Sequence, residues 1–89
     1  MKKITLTIKI LIKMAAVSIK FGHVLKQQRE KKGVSQEHIA FQSGLDRSFV
    51  SMLERGKRQP SLLTIFHLSQ ALSLKPSELV ALVEQSLVD

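Results

Sequence analysis

The pattern of apolar and polar positions predicts five helices in the chain after residue 17. Apolar residues recur there every three or four positions, which places them on one face of a helix. The predicted helices cover about residues 18–32, 36–43, 47–55, 62–73 and 76–87. Ser35 and Ser61 are suitable N-caps, Gly44 suits a left-handed turn, and Pro76 suits a first helical turn. We therefore predict an all-α fold of five helices.

The first residues of the chain follow a different pattern. Isoleucine and leucine alternate with threonine and lysine over much of residues 4–12. A period of two with β-branched residues is typical of a strand with one apolar face, so we predict a short N-terminal β-strand. Because a lone strand is unstable in water, its simplest partner is the same strand of a second subunit.

Other interpretations of this segment stay open. A helix also fits the apolar spacing, although the threonine and isoleucine content disfavours it. In another interpretation Met14 is the natural start, and residues 1–13 are an upstream extension. A signal peptide fits less well, because Lys9 and Lys13 interrupt an apolar stretch that is too short to cross a membrane.

The net charge of +7 is unevenly distributed. Residues 1–20 contain five lysines and no acidic residue, and residues 21–60 contain eight basic and four acidic residues. Residues 61–89 carry one lysine against three acidic residues. The positive charge therefore lies on the first two thirds of the chain, which predicts a polyanionic partner, most simply nucleic acid.

Several kinds of chemistry are excluded or disfavoured by composition. The chain has no cysteine, so it has no disulfide, no thiolate zinc site and no cysteine nucleophile. Its three histidines share no ligand spacing with nearby carboxylates, so we expect no metal and no other cofactor. The absence of a nucleophile–base set and of a glycine-rich phosphate loop argues against an enzyme.

Residues 35–61 carry the most information about function. They predict two short helices joined by a tight turn at Gly44, followed by a basic loop. Two helices joined in this way form a helix-turn-helix, whose second helix can enter the major groove of DNA. Polar residues along the second helix are therefore candidate readers of base edges.

Two charged residues fall on the apolar faces of predicted helices. At about 100° per residue, Arg29 lies close to the direction of Leu25 in the first helix, and Glu54 lies close to that of Val50 in the third. Isolated buried charges are costly, so these two side chains are expected to meet as an ion pair. Its expected role is to orient the third helix. The alternative is that both side chains reach solvent.

These residues together resemble the phage repressor/Cro-type (XRE-like) helix-turn-helix family. The similarity covers about residues 18–87, and residues 1–13 lie outside it. The resemblance implies a compact five-helix domain that binds operator DNA, usually as a dimer. Residues 45–55 also resemble the small controller proteins of restriction-modification systems. The residues that carry the resemblance include Phe21, Gly22, Leu25, Arg29, Gln36, Gly44, Leu45, Val50, Glu54, Arg55, Gly56, Lys57, Pro60 and Ser61. Phe41 stands where the family usually has a charged or polar residue.

Four residues of the third helix are candidate base readers. Arg47 and Ser48 stand at its N-terminal end, which reaches base edges, and arginine is the commonest reader of guanine. Phe49 either packs on a thymine methyl or sugar or covers the edge of the core. Met52 either touches a thymine methyl or is an ordinary surface residue.

Four further residues are candidate phosphate contacts. Gln36 stands at the N-terminus of the second helix, where free N–H groups favour a phosphate, and the resemblance implies a backbone contact there. Arg55, Lys57 and Arg58 follow the reading face and are expected to bind phosphates by their charge, although Arg58 can alternatively reach a base. A solvated charge cluster is the alternative for all three.

The combined prediction is a cytoplasmic, sequence-specific transcriptional regulator that binds a palindromic operator as a homodimer. It is expected to be a phage-type repressor or a restriction-modification controller, with residues 1–17 as an extension and 18–89 as the DNA-binding domain. The expected dimer surface is helix 5, together with the N-terminal strand. The alternative is an antitoxin or a protein-interaction module with the same fold. A membrane-surface role of residues 1–20 is a further hypothesis, and the favoured prediction includes no membrane.

Overall fold

Within its described residues, the protein forms five α-helices connected by short turns. The computed structural model describes residues 2–88 and the side chains of residues 4–88. Met1 begins the predicted extension (residues 1–17) and Asp89 ends the predicted DNA-binding domain (residues 18–89); both lie outside the described residues. The helices are α1 (Lys2–Lys32), α2 (Gln36–Ser43), α3 (Arg47–Glu54), α4 (Leu62–Ala71) and α5 (Pro76–Ser86). The four helices after α1 begin where the sequence predicted, and they end within about two residues of the predicted positions.

Local sequence explains where these helices begin and end. The Ser35 hydroxyl accepts a hydrogen bond from the backbone N–H of His38 at 3.0 Å, and Ser61 accepts one from Thr64 at 3.0 Å. These N-caps satisfy backbone donors that have no partner inside the helix. Gly44 ends α2 with a positive φ of 68°, which only glycine adopts without strain.

One apolar core joins the second half of α1 to the other four helices. The side chains of Leu25, Ile39, Val50 and Leu53 are fully buried there, together with those of Leu68 and Leu79. Helix α1 packs against α3 and α5, while α2 packs against α3 and α4. The core therefore fixes the position of α3 from two sides, through α1 and through α2.

The predicted N-terminal strand is wrong. Residues 4–12 belong to α1, which is a single helix of 31 residues and about 46 Å. A strand would leave its backbone groups without ladder partners, whereas a helix pairs them within the segment. Helix growth from residues 18–32 also avoids the cost of nucleation, and isoleucine and threonine cost only a few tenths of a kcal/mol each in a helix. Among the described residues, no helix is long and apolar enough to cross a membrane.

Candidate nucleic-acid interface

Helices α2 and α3 form a helix-turn-helix with a three-residue turn. The turn closes through a hydrogen bond from the Leu45 N–H to the carbonyl oxygen of Ala40 at 2.9 Å. Asp46 occupies the N-cap position of α3, but its carboxylate makes no capping hydrogen bond. Its backbone carbonyl instead accepts from the N–H groups of Phe49 and Val50.

Helix α3 has two clearly different faces. Val50, Leu53 and Glu54 are buried in the protein. Arg47 and Ser48 at the N-terminal end are exposed. The structure therefore leaves the first turn of α3 accessible, while the opposite face holds the helix on the core.

The other two candidate readers are less exposed than Arg47. Phe49 is half-buried and packs against the core, which agrees with the interpretation that it covers the core edge. Met52 is also half-buried. Of the four candidate readers, Arg47 and Ser48 are therefore the ones that present most of their side chains to solvent.

Arg29 and Glu54 meet in the interior as an ion pair. The Arg29 Nε donates to Glu54 Oε2 at 2.6 Å, and the Arg29 Nη2 donates to Glu54 Oε1 at 3.0 Å. The side chains are only 11% and 3% exposed. Such a two-pronged contact matches the planar guanidinium to the carboxylate and is stronger than a single hydrogen bond. It raises the pKa of the Arg29 guanidinium above its ordinary value, mainly because the Glu54 carboxylate accepts its hydrogen bond.

The ion pair belongs to a larger network that connects three helices. The third arginine nitrogen, Nη1, donates to the carbonyl oxygen of Val34 at 2.9 Å, in the turn between α1 and α2. The side-chain amide of Gln36 donates to Glu54 Oε1 at 3.0 Å. Glu54 therefore receives hydrogen bonds from both α1 and α2, and the candidate phosphate contact Gln36 is attached to the ion pair. The sequence did not predict that attachment.

The basic loop after α3 lies beside helix α1. Gly56 has a φ of 71° and turns the chain away from α3. The loop closes through a hydrogen bond from the Lys57 N–H to the carbonyl oxygen of Met52 at 2.9 Å. Arg55, Lys57 and Arg58 are exposed around this turn. Their charges therefore lie at the C-terminal end of α3, while Gln36 lies at the start of α2.

The close packing of α1 against α3 is a feature that sequence analysis missed. A Cβ atom added to Gly22 would lie 2.6 Å from the carbonyl oxygen of Glu54 and would also overlap that of Leu53. Gly22 thus lets the two backbones touch. A glycine inside a predicted helix was the available signal, because glycine in that position is otherwise unfavourable.

A second missed feature is the apolar surface at the start of α4. Leu62, Leu63 and Phe66 are exposed, with 70%, 65% and 51% of their surfaces accessible. Phe66 borders a groove together with Leu74 and Pro76, so the surface continues towards α5. Phe41 on α2 is a separate exposed aromatic residue, with 83% of its surface accessible.

Comparison with known proteins agrees with this architecture. The chain is 41% identical over 73 residues to the control protein C.MunI of Mycoplasma sp., a match that covers 81% of this chain and 99% of that protein. It is 52% identical to the restriction-modification controller protein C.AhdI of Aeromonas hydrophila, with a TM-score of 0.70 and 72% and 97% of the two chains covered.

A DNA complex is among the similar structures. A variant of the controller protein C.Esp1396I bound to its highest-affinity operator site is 26% identical, with a TM-score of 0.76 and 82% and 96% of the two chains covered. A family model described as helix-turn-helix matches residues 25–79, which is more than half of the chain. The chain therefore belongs to this helix-turn-helix family of DNA-binding transcriptional regulators.

Proposed function

We propose that this protein is a sequence-specific regulator of the controller type, which binds a palindromic operator as a homodimer. The observation that carries the proposal is the exposed first turn of α3, on a helix held from behind by the buried Arg29–Glu54 pair. The similarity to controller proteins supports the same conclusion, because one of those structures contains an operator.

Arg47 is the principal base reader in this proposal. Its side chain is exposed at the end of α3 that enters the major groove in helix-turn-helix proteins. A guanidinium can donate two hydrogen bonds to O6 and N7 of a guanine, and Ser48 beside it can donate or accept. Phe49 and Met52 would add apolar contact at the edge of this surface.

Phosphate contacts on both sides of α3 would fix its position in the groove. The Gln36 amide group has a second hydrogen to offer a phosphate while the first remains on Glu54. Arg55, Lys57 and Arg58 would neutralise phosphates beyond the other end of the helix. Because Gln36 hydrogen-bonds Glu54, the same carboxylate would orient both the reading helix and one phosphate contact.

The homodimer would form through the surface at the start of α4. Leu62, Leu63 and Phe66 are exposed there, and Val80 lies one turn after Pro76 on α5. Contiguous exposed apolar side chains normally mark an interface. The interface would therefore lie on α4 and the start of α5, whereas the sequence predicted it on helix 5. Two-fold symmetry would then place two reading helices on successive major grooves, about 34 Å apart.

Arg47→Ala is expected to weaken binding to the operator by about 1–3 kcal/mol and to relax base choice at one position of each half-site. The physical reason is the loss of a two-pronged contact to a guanine. Selection of bound duplexes from random DNA would identify the operator, and titrations on the operator and on unrelated DNA would measure the effect. An equal loss on both DNAs would mean that Arg47 does not read a base.

Lys57→Ala is the matched control, since it removes a cation of the same surface without removing the proposed reader. It is expected to weaken binding to all sequences similarly and to lower the salt dependence by about one ion per subunit. If Arg47→Ala and Lys57→Ala behave alike in both assays, the proposed division into reader and phosphate contact is wrong.

In a chain starting at Met14, which lacks most of the exposed N-terminal half of α1, Phe66→Glu is expected to convert the protein from a dimer towards a monomer at micromolar concentration. A carboxylate in the centre of the α4 surface would have to be desolvated without a partner when two subunits meet. Sedimentation velocity would measure the change. Phe41→Glu is the control, because it adds the same charge at an exposed phenylalanine on α2. A dimer that persists in Phe66→Glu would place the subunit interface elsewhere.

A further inference from the structure

The first half of α1 exposes an unusual number of large apolar side chains. We call residues 4–18 the arm. The arm precedes Ile19, which touches Gly56 of the basic loop, and it lies outside the family match. Its large apolar residues are all between 39% and 64% exposed, and they are Ile4, Leu6, Ile8, Ile10, Leu11, Ile12, Met14 and Val17.

The lysines and the apolar residues of the arm occupy different sides of the helix. At about 100° per residue, Lys9, Lys13 and Lys20 fall within a stripe roughly 40° wide. The large apolar residues occupy the opposite arc of roughly 240°, with Leu11 near its centre. Thr7 and Ser18 are the polar residues of residues 4–20 that fall inside this arc.

The apolar arc of the arm lies on the same side of α1 as the residues that are buried in the core in the second half of this helix. Phe21, Val24 and Leu25 are buried against the other helices and fall within the same arc, as does Gly22. Gln27 and Lys31 are exposed and continue the lysine stripe. The arm therefore continues both sides of the same amphipathic helix. Its lysine side is exposed like the rest of that stripe, but its apolar side is exposed as well, with no part of the described chain covering it.

We propose that a second copy of this chain covers the arm, by antiparallel pairing of the two arms about a two-fold axis near Leu11. Leu11 is the midpoint of the arm and lies near the centre of the apolar arc. Pairing there brings Ile4, Leu11, Met14 and their neighbours into contact, and Thr7, Ala15 and Ser18 are small enough to let the helices approach. A two-fold contact requires such a self-complementary surface.

The charge distribution favours a second copy over an acidic partner. Residues 1–29 contain no aspartate or glutamate, so two arms cannot form ion pairs with each other. They do not need them, because Lys9 and Lys13 each lie about 160° from Leu11 and would point away from the paired arm into water. The contact is therefore apolar at its centre and has no like charges facing one another.

Lipid and DNA fit the arm less well than a second copy. A flat membrane would have to approach the apolar arc from the side on which the protein body packs against Phe21 and Leu25, so the body would hold part of the arc away from the bilayer. DNA would use the lysines but would leave the isoleucine and leucine side chains in water. A second copy satisfies both sides of the helix.

Single-cysteine variants test the pairing directly, since the chain has no cysteine of its own. Under mild oxidation without DNA, full-length Leu11→Cys is expected to form at least about ten-fold more disulfide dimer than Lys13→Cys, its matched control. A disulfide requires Cα atoms within about 7 Å, whereas the lysine stripes of paired arms would be about two helix diameters apart. Equal cross-linking of the two variants would overturn the proposal.

Repeating the experiment with Phe66→Glu separates the arm from the proposed interface on α4. The arm contact does not rest on the proposed function, so Leu11→Cys is expected to cross-link in that background too. Loss of the cross-link there would overturn the arm as an interface of its own. Binding to phosphatidylglycerol vesicles without cross-linking in solution would overturn it in favour of lipid, and a chain starting at Met14 is the control that lacks most of the arm.

Discussion

Replacing Glu54 with alanine is expected to lower the free energy of unfolding by about 3–5 kcal/mol, because it leaves the Arg29 guanidinium buried without its charge partner. The Arg29 side chain is only 11% exposed, so water cannot replace the carboxylate without a rearrangement of α1 and α3. The substitution also removes the acceptor for Gln36, at the start of α2. The side-chain contacts of Glu54 that connect α3 to α1 and to α2 would be lost together.

Thermal or urea unfolding of Glu54→Ala, Arg29→Ala and the double variant would measure the interaction. The double variant is expected to be less destabilised than the sum of the single variants, because neither charge is then left alone. Additive effects would show that the two residues stabilise the fold independently. Glu37→Ala, an exposed glutamate on α2, is the control and is expected to change stability by no more than about 0.5 kcal/mol.

The sequence was sufficient to predict the ion pair but not the network around it. Arg29 and Glu54 each fall on an apolar helical face, and a buried charge requires a partner, so two elementary arguments identify them. The hydrogen bond from Gln36 depends on how closely the start of α2 approaches the end of α3. That distance is set by core packing, which apolar periodicity does not report.

The same limit explains why the sequence did not predict the exposed apolar surface at the start of α4. Leu62, Ile65, Phe66 and Leu68 recur at helical spacing in the sequence, which predicts that α4 is helical but does not say which side is inward. In the structure Leu68 is buried and Ile65 packs on the core, whereas Leu62 and Phe66 are exposed. A helix with apolar residues on several sides has more than one possible inward face, and only tertiary packing chooses between them.

The N-terminal segment shows how a short alternating pattern misleads. Ile4, Ile8, Leu11 and Ile12 lie on one side of a helix. Three of them, Ile4, Ile8 and Ile12, would also lie on one face of a strand. Isoleucine and threonine favour strands, so the alternation predicts a strand. That preference amounts to at most about 1 kcal/mol per residue and depends on neighbouring strands. Here the segment is joined to a helix anchored in the core, and a small local preference does not overcome that connection.

Gly22→Ala is expected to destabilise the protein by about 3 kcal/mol, although alanine is intrinsically better than glycine inside a helix by about 1 kcal/mol. The added Cβ would lie 2.6 Å from the Glu54 carbonyl oxygen and would overlap that of Leu53, so the backbones of α1 and α3 would have to separate. Because α3 would move, binding to the operator is expected to weaken as well, beyond the fraction of protein that unfolds.

Gly33→Ala is the informative comparison, because the same substitution is expected to destabilise the protein there for a different reason. A Cβ atom at Gly33 meets nothing within 4 Å, but its φ of 76° is unfavourable for alanine and costs about 1–2 kcal/mol. Urea unfolding is expected to show a larger loss of unfolding free energy in Gly22→Ala than in Gly33→Ala. DNA titration of the folded fraction is expected to show a loss of affinity in Gly22→Ala alone. A stability gain in Gly22→Ala, as helix propensity by itself predicts, would show that α1 and α3 do not approach as closely as described.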